Sequence, residues 1–224
     1  MHMNGRYARN AGMISGDEQK LLSRKRVFVA GCGGIGGYTI EHLVRTGVGH
    51  IICVDHGQFE PSNLNRQILC DMRALGLSKA DCAKARAASV NPGVSITAQN
   101  VHLAPSSLPG LICGCDLAVD ALDSAETRLA LAAACEAQGM PIIHAAVGGW
   151  LAQAAFVPPG GGLYRLIYPE NNLRKQESGV LSFAPGFAAS LQAAIAVRYL
   201  CGRPCDADLH IYNLQTMQYS RVRT

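Results

Sequence analysis

The 224-residue chain predicts a doubly wound α/β fold: a mainly parallel, Rossmann-like sheet with helices on both faces and an antiparallel extension towards its C-terminal end. Two observations carry this. Short, almost continuously apolar runs alternate with stretches of helical period, and strands of that kind are buried on both faces, as in a parallel sheet. A glycine-rich turn, GCGGIGG at 31–37, lies directly between the first apolar run and the first long helix. Apolar residues make up 49% of the chain and charged residues 16%, enough to build a substantial core. With no internal repeat and no shift in composition, residues 1–224 read as one domain.

The elements follow in order. Residues 1–25 form an N-terminal helical arm. RVFVA (26–30) is the first strand, followed by a helix over about 35–46, then HIICVD (50–55), a helix over 78–90, VSITA (94–98), DLAVDA (116–121), a helix over 125–138 and PIIHAA (141–146). LAQAAFV (151–157) reads as a further strand. PPGGG and PENN are turn signals, and the polar, glycine-rich stretch 159–179 has no period, which predicts a long mobile loop. The alanine-rich stretch 181–200 predicts a buried helix broken or entered near Pro185 and Gly186. DLHIYNL and MQYSRV then close the chain as a hairpin.

Composition also excludes classes of function. No stretch is long and apolar enough to span a membrane, and the first twenty residues carry Arg6, Arg9, Asp17 and Glu18 where a secretory segment has an apolar core. A cytoplasmic location is therefore expected. Nine cysteines are an odd number, fall mostly in apolar segments, and read as small buried hydrophobes rather than disulfides. The formal charge of +4 is spread out, with no basic run interleaved with aromatics, so nucleic acid is not the expected partner.

Gly31, Gly33 and Gly36 match G-x-G-x-x-G, and Asp55 ends the next strand. Glycines let a phosphate approach the backbone, a helix N-terminus offers unpaired amides, and a strand-end acid accepts from ribose hydroxyls. The position between strand and helix favours nucleotide binding over glycines that merely pack helix on strand. The motif alone leaves NAD and ATP equally open. Asn63, Arg66, Gln67 and Lys79 follow the second strand, and extra cations and amides suit a triphosphate whose charge is redistributed during chemistry. For any lone Arg or Lys, however, a solvated loop charge is the simpler account.

Taken together, RYARN (6–10), GCGGIGG (31–37), Asp55, NLNRQ (63–67), Lys79, DALDSAETR (120–128) and GVLSFAPGFAASLQA (179–193) resemble the ThiF/MoeB/HesA adenylyltransferases, bacterial relatives of ubiquitin-activating enzymes, over nearly the whole chain. The resemblance implies that ATP and Mg²⁺ are bound. It further implies that the C-terminal carboxylate of a small ubiquitin-like carrier ending in Gly-Gly attacks the α-phosphate, giving an acyl-adenylate and pyrophosphate. By matching position, Gly31, Gly33, Gly34 and Gly36 line the nucleotide and Asp55 holds the ribose. Asn63, Arg66 and Gln67 serve the nucleotide and its phosphates, Lys79 the triphosphate, and Asp123 the metal. Arg9 is implied to reach the partner site of a homodimer.

Asp120 reads either as a further polar contact near the nucleotide or as a cap on the following helix. Arg128 reads as a structural residue pairing on the helix surface, His144 as a satisfied buried histidine, and Cys32 as a small side chain. The chain departs from many relatives in two places. LYRL (163–166) stands where a first C-x-x-C pair is expected and no second pair occurs, so no zinc is expected. No cysteine lies between Cys135 and Cys201, so the thiol that some relatives use after adenylation is missing, and the reaction is expected to stop at the adenylate. A tRNA threonylcarbamoyladenosine dehydratase-like enzyme and a non-catalytic scaffold for a ubiquitin-like partner remain as alternatives.

Overall fold

The computed structural model describes residues 5–169 and 179–223. A single mixed sheet of eight strands runs β3-β2-β1-β4-β5-β6-β7-β8. The strands are β1 (Arg26–Ala30), β2 (His50–Val54), β3 (Ser95–Gln99), β4 (Leu117–Asp120), β5 (Ile142–Gly148), β6 (Leu151–Val157), β7 (Leu209–Asn213) and β8 (Gln218–Val222). The first five pair in parallel, and β6, β7 and β8 extend the sheet antiparallel. The expected closing hairpin is thus a continuation of the main sheet.

Alternation along the inner strands explains why their sequences are apolar throughout. Val27 and Val29 of β1 enter one core cluster, whereas Phe28 and Ala30 enter the other. The first cluster lies under α1 (Gly16–Leu22), α2 (Gly34–Thr46), α3 (Lys79–Val90) and the C-terminal half of α7 (Phe183–Leu200). The second lies under α4 (Leu108–Ile112), α5 (Ala125–Ala137) and α6 (Leu163–Ile167). Each inner strand therefore buries both faces, as a doubly wound sheet requires.

Local chemistry fixes the helix ends. Ser15 accepts from the amide of Glu18 while the Glu18 carboxylate accepts from the amide of Ser15, a reciprocal cap that starts α1. Ser78 accepts from the amide of Asp81 and starts α3. Pro185 and Gly186 lie in the first turn of α7, so that helix is entered there rather than broken.

Three expectations need correction. The stretch 159–179 is not a featureless loop: α6 interrupts it, and Leu163 and Tyr164 are buried in the second cluster. Aromatic and aliphatic side chains at adjacent positions anchor that turn, whereas the surrounding glycines and prolines mask the signal. Residues 170–178, on which the rest of that expectation falls, lie outside the described residues. Arg128 does not pair on a helix surface but is buried at 4% exposure. Asp120 is fully buried and neither caps α5, whose N-cap is Ser124, nor faces open space.

Candidate active site

The sheet order reverses between β1 and β4: the chain runs from β1 outwards to β3, then returns to the other side of β1. Strand order of this kind leaves a crevice at the carboxyl ends of the two strands, where doubly wound proteins bind ligands. Three chain segments meet there. They are the glycine loop after β1, the long connection after β2, and the turn after β4.

The glycines divide by task. Gly31 adopts φ +94°, and a Cβ there would lie 2.7 Å from the carbonyl oxygen of Ala121. A Cβ on Gly36 would lie 1.9 Å from the carbonyl oxygen of Gly31. Both are required by backbone packing between β1, α2 and the turn after β4. Gly33 and Gly34 are different. A Cβ on Gly33 would meet nothing nearer than the Gln67 amide at 3.8 Å, and one on Gly34 would make ordinary contact with Pro185 at 3.4 Å. The N-cap of α2 is Gly33, with no side chain to cap the helix and no acid in the first turn. The first amides of α2 thus remain available to an anion.

Asp55 joins the loop to the second segment. Its Oδ2 accepts from the amide of Cys32 at 2.8 Å and its Oδ1 from the amide of Gly57 at 2.7 Å. Each carboxylate oxygen keeps a further lone pair for a hydroxyl donor. Lys79 begins α3, its amide donating to the carbonyl of Gly57 at 3.0 Å, and its Nζ lies 5.8 Å from the Phe59 ring centre. A Cβ built on Gly57 lies 3.1 Å from Asp55 Oδ1 and 3.5 Å from Lys79 Nζ, which places the ammonium and the carboxylate about one residue. The Arg66 stem runs past Gly34, while its Nη1 donates to Ser62 O at 2.8 Å and Asn65 Oδ1 at 2.9 Å. Among the described residues, neither Arg66 nor Lys79 is paired with a carboxylate. Asn65 in turn donates to Val180 O at 3.0 Å, tying this segment to the chain entering α7.

Asn63 is turned to local work: its Oδ1 accepts from the amide of Glu60 at 3.1 Å, shaping the short 3₁₀ turn Pro61–Asn63. Gln67 is buried at 7% exposure, and its Oε1 has no hydrogen-bond partner among the described residues. An orphaned buried amide oxygen is costly, and this one borders Gly33 at the open start of α2. Uncapped helix amides and two cations around the glycine cradle are donors that fit the phosphates of a nucleotide, and Gln67 Oε1 is an acceptor that fits a hydroxyl or amino group of one.

Asp123 is exposed in the turn between β4 and α5. Ala121 closes that turn against the glycine loop, its amide donating to Ala30 O at 3.0 Å. Behind it stands a buried polar cluster. Asp120 Oδ2 accepts from Arg128 Nη1 at 2.7 Å and from the Tyr164 hydroxyl at 2.8 Å, and lies 3.2 Å from His144 Nδ1. Gln153 Nε2 lies 3.0 Å from His144 Nε2. His144 Nδ1 also lies 3.1 Å from Arg128 Nη1, so the imidazole is held between both members of the Asp120–Arg128 pair. Burial pushes the Asp120 carboxyl up, but Arg128 and the hydrogen bond from His144 more than offset it, leaving its pKa below the ordinary value. Burial, with the nearby Arg128 charge, also lowers the pKa of His144 and favours its neutral form. Hydrogen bonding to Cys53 and burial hold the Cys32 thiol well above its ordinary pKa, so it is a packing residue and not a nucleophile.

Arg9 is not part of this constellation within one chain. It belongs to the 3₁₀ turn Gly5–Asn10, whose Tyr7 packs on Gly47 at the C-terminal end of α2. The 13-residue helix separates that end from the glycine loop by ~20 Å.

Comparison with known proteins decides the family. The ThiF family model matches residues 7–224. The chain belongs to the ThiF family. It is 33% identical to the SAMP-activating enzyme E1 of Haloferax volcanii, over 97% of this chain and 84% of that protein. It is 30% identical to the molybdopterin-synthase adenylyltransferase of Escherichia coli, over 92% and 86% respectively. A crystal structure of Escherichia coli MccB with succinimide superposes with a TM-score of 0.85 at 21% identity, covering 99% of this chain and 72% of that one. The ThiF-family chain is thus an ATP-using adenylyltransferase of the ThiF/MoeB type. The sequence missed Tyr164 as a partner of Asp120, because nothing in a glycine-rich stretch marks a buried hydroxyl.

Proposed function

We propose that the chain adenylates the C-terminal glycine carboxylate of a small ubiquitin-like sulfur-carrier protein, releasing pyrophosphate, and works as a homodimer. The observation that supports this best is the convergence at the switch point: uncapped α2 amides and, among the described residues, an unpaired Gln67 Oε1 and Arg66 and Lys79 without carboxylate partners, all beside Asp55. Two relatives of the chain are adenylyltransferases for molybdopterin synthase and for the sulfur carrier ThiS. No cysteine lies between Cys135 and Cys201, which favours release of the adenylate to an outside nucleophile.

In this reading the carboxylate oxygen attacks the α-phosphorus, the bond from that phosphorus to the bridging oxygen breaks, and pyrophosphate leaves with the electron pair. Asp55 orients the ribose. Gly33, Gly34 and the α2 amides admit the phosphates, and Arg66 and Lys79 offset charge on the approaching carboxylate and on the leaving group. Asp123 would hold Mg²⁺ as a hard oxygen ligand, and the ion would supply further charge neutralisation. Arg9, remote from its own glycine loop, serves the partner's site across the dimer.

The test is ATP–pyrophosphate exchange with a ubiquitin-like carrier ending in Gly-Gly, with the same carrier lacking its last glycine, and with tRNA. Exchange stimulated by the intact carrier alone is expected. Stimulation by tRNA instead sinks the carrier reading in favour of the dehydratase. No exchange with any substrate favours a scaffold. Mixing inactive Arg9→Ala and Asp123→Ala chains restores part of the activity if Arg9 acts across the dimer, and none if it does not.

A further inference from the structure

The buried cluster behind Asp123 has a geometry that fold stability alone does not call for. Arg128 Nη2 donates to the carbonyl oxygen of Leu122, and Asp120 Oδ1 accepts from the amide of the same residue at 3.1 Å. Both backbone polar groups of the residue immediately before Asp123 are therefore held, one by each member of a buried ion pair. The other guanidinium nitrogen of Arg128 is anchored in the sheet, donating to Asp120 Oδ2 at 2.7 Å and to Ala145 O at 3.0 Å. The Gln192 side chain, from α7, donates to the carbonyls of Asp120 at 2.8 Å and Ile143 at 2.9 Å, so the end of β4 is fixed from the opposite face as well.

We propose that Arg128 and Asp120 are positioning residues that fix the backbone of Leu122 and thereby set where the Asp123 carboxylate stands. Tyr164, donating to Asp120 Oδ2 from α6, ties that setting to the turn that leads towards residue 170. The cluster does not need an ion pair to be packed, since apolar residues of similar volume often serve as well. What an apolar set cannot do is restrain an amide and a carbonyl of one loop residue simultaneously. Arginine is required for the same reason: its planar fork reaches Asp120 and Leu122 with different nitrogens, whereas a lysine ammonium is a single point.

The metal-binding part of this inference rests on the adenylation reading, whereas the clamp itself does not. Arg128→Lys is the decisive variant, and Tyr164→Phe a milder one that removes a single donor from Asp120. Two measurements are made on folded dimeric protein. Amide hydrogen exchange is followed through residues 117–128, and Mn²⁺ binding is titrated by electron paramagnetic resonance with a non-hydrolysable ATP analogue present. In Arg128→Lys, exchange at 121–124 is expected to accelerate about tenfold and Mn²⁺ binding to weaken about tenfold, with protection in β4 and α5 unchanged, the size expected for a hydrogen bond to a charged group.

Tyr164→Phe is expected to shift both readings about threefold in the same direction, and it decides the matter if Arg128→Lys does not fold. Unchanged loop exchange and unchanged Mn²⁺ affinity in a folded variant overturn the positioning role while leaving adenylation intact. Uniform loosening of the whole domain also overturns it. A wild-type chain that takes up no Mn²⁺ with the nucleotide overturns the metal role of Asp123 and the adenylation reading, and loop exchange alone then judges the clamp.

Discussion

Alanine substitution at Gly36 and at Gly34 separates the two tasks of the glycine loop. A Cβ on Gly36 would sit 1.9 Å from the carbonyl oxygen of Gly31, 2.8 Å from its carbon and 3.2 Å from Ala121 Cβ. That is more than an ångström inside any real carbon–oxygen contact, and the obstacle is backbone, so α2 itself must retreat. It cannot do so freely, because Ile35 and Gly36 are buried and α2 packs on α7. Overpacking of this kind costs ~3 kcal/mol. In a chain of this length each kcal/mol lowers Tm by ~2–4 °C, so Gly36→Ala is expected to melt about 6–12 °C below wild type. Gly34→Ala meets only Pro185 Cβ, at 3.4 Å, and gains helix propensity of up to ~1 kcal/mol. Its Tm is expected within about 2 °C of wild type. Differential scanning calorimetry without nucleotide reads both. Equal melting temperatures for Gly36→Ala and wild type would refute the assignment of Gly36 to backbone packing.

Arg66→Ala and Lys79→Ala are each expected to lower the rate of carrier-stimulated pyrophosphate exchange by ~10²–10³-fold with Tm within about 2 °C of wild type, since neither cation has a carboxylate partner among the described residues; rates unchanged for both would remove them from the site. Stability should also fall as pH drops through 6.5. Burial lowers the pKa of His144 from 6.5, so below that pH the unfolded chain takes up a proton that the native one refuses, at up to ~1.4 kcal/mol per pH unit until the folded pKa is reached. His42 and His50 shift in the same direction, so the test is whether His144→Gln flattens the urea-derived stability profile between pH 7 and 5. Magnesium chelation is expected to abolish exchange while leaving Tm unchanged by calorimetry, and a Tm that falls on adding a zinc chelator would reveal a structural metal.

The fold was legible because the inner strands bury both faces. RVFVA and HIICV are apolar at nearly every position, and Ser78 and Gly33 punctuate the helices that follow. The helix α6 was not legible, since LYRL lies among glycines and prolines and only its contacts with the second core cluster define it. Of the candidate site, the glycine loop and Asp55 could be placed from strand ends, whereas the place of Lys79, at the start of α3, followed only from the family resemblance. The buried state of Arg128 could not be read, because an arginine in the first turn of a helix looks solvated in sequence. It is drawn inwards by Asp120, which the strand pattern marks only as a terminal acid. The separate tasks of Gly31 with Gly36 and of Gly33 with Gly34 were equally hidden, as all four fit one motif.

The mixed sheet also divides the chain by resistance to local opening. Strands β1, β2 and β4 are almost entirely buried, whereas all five residues of β8 are exposed and its outer edge carries no further strand among the described residues. Opening free energy follows burial, so β8 frays first, then β7, while amides at the carboxyl ends of β1 and β4 exchange only when the whole domain unfolds. The loops that gather at the switch point are thus rooted in the last part of the molecule to come apart.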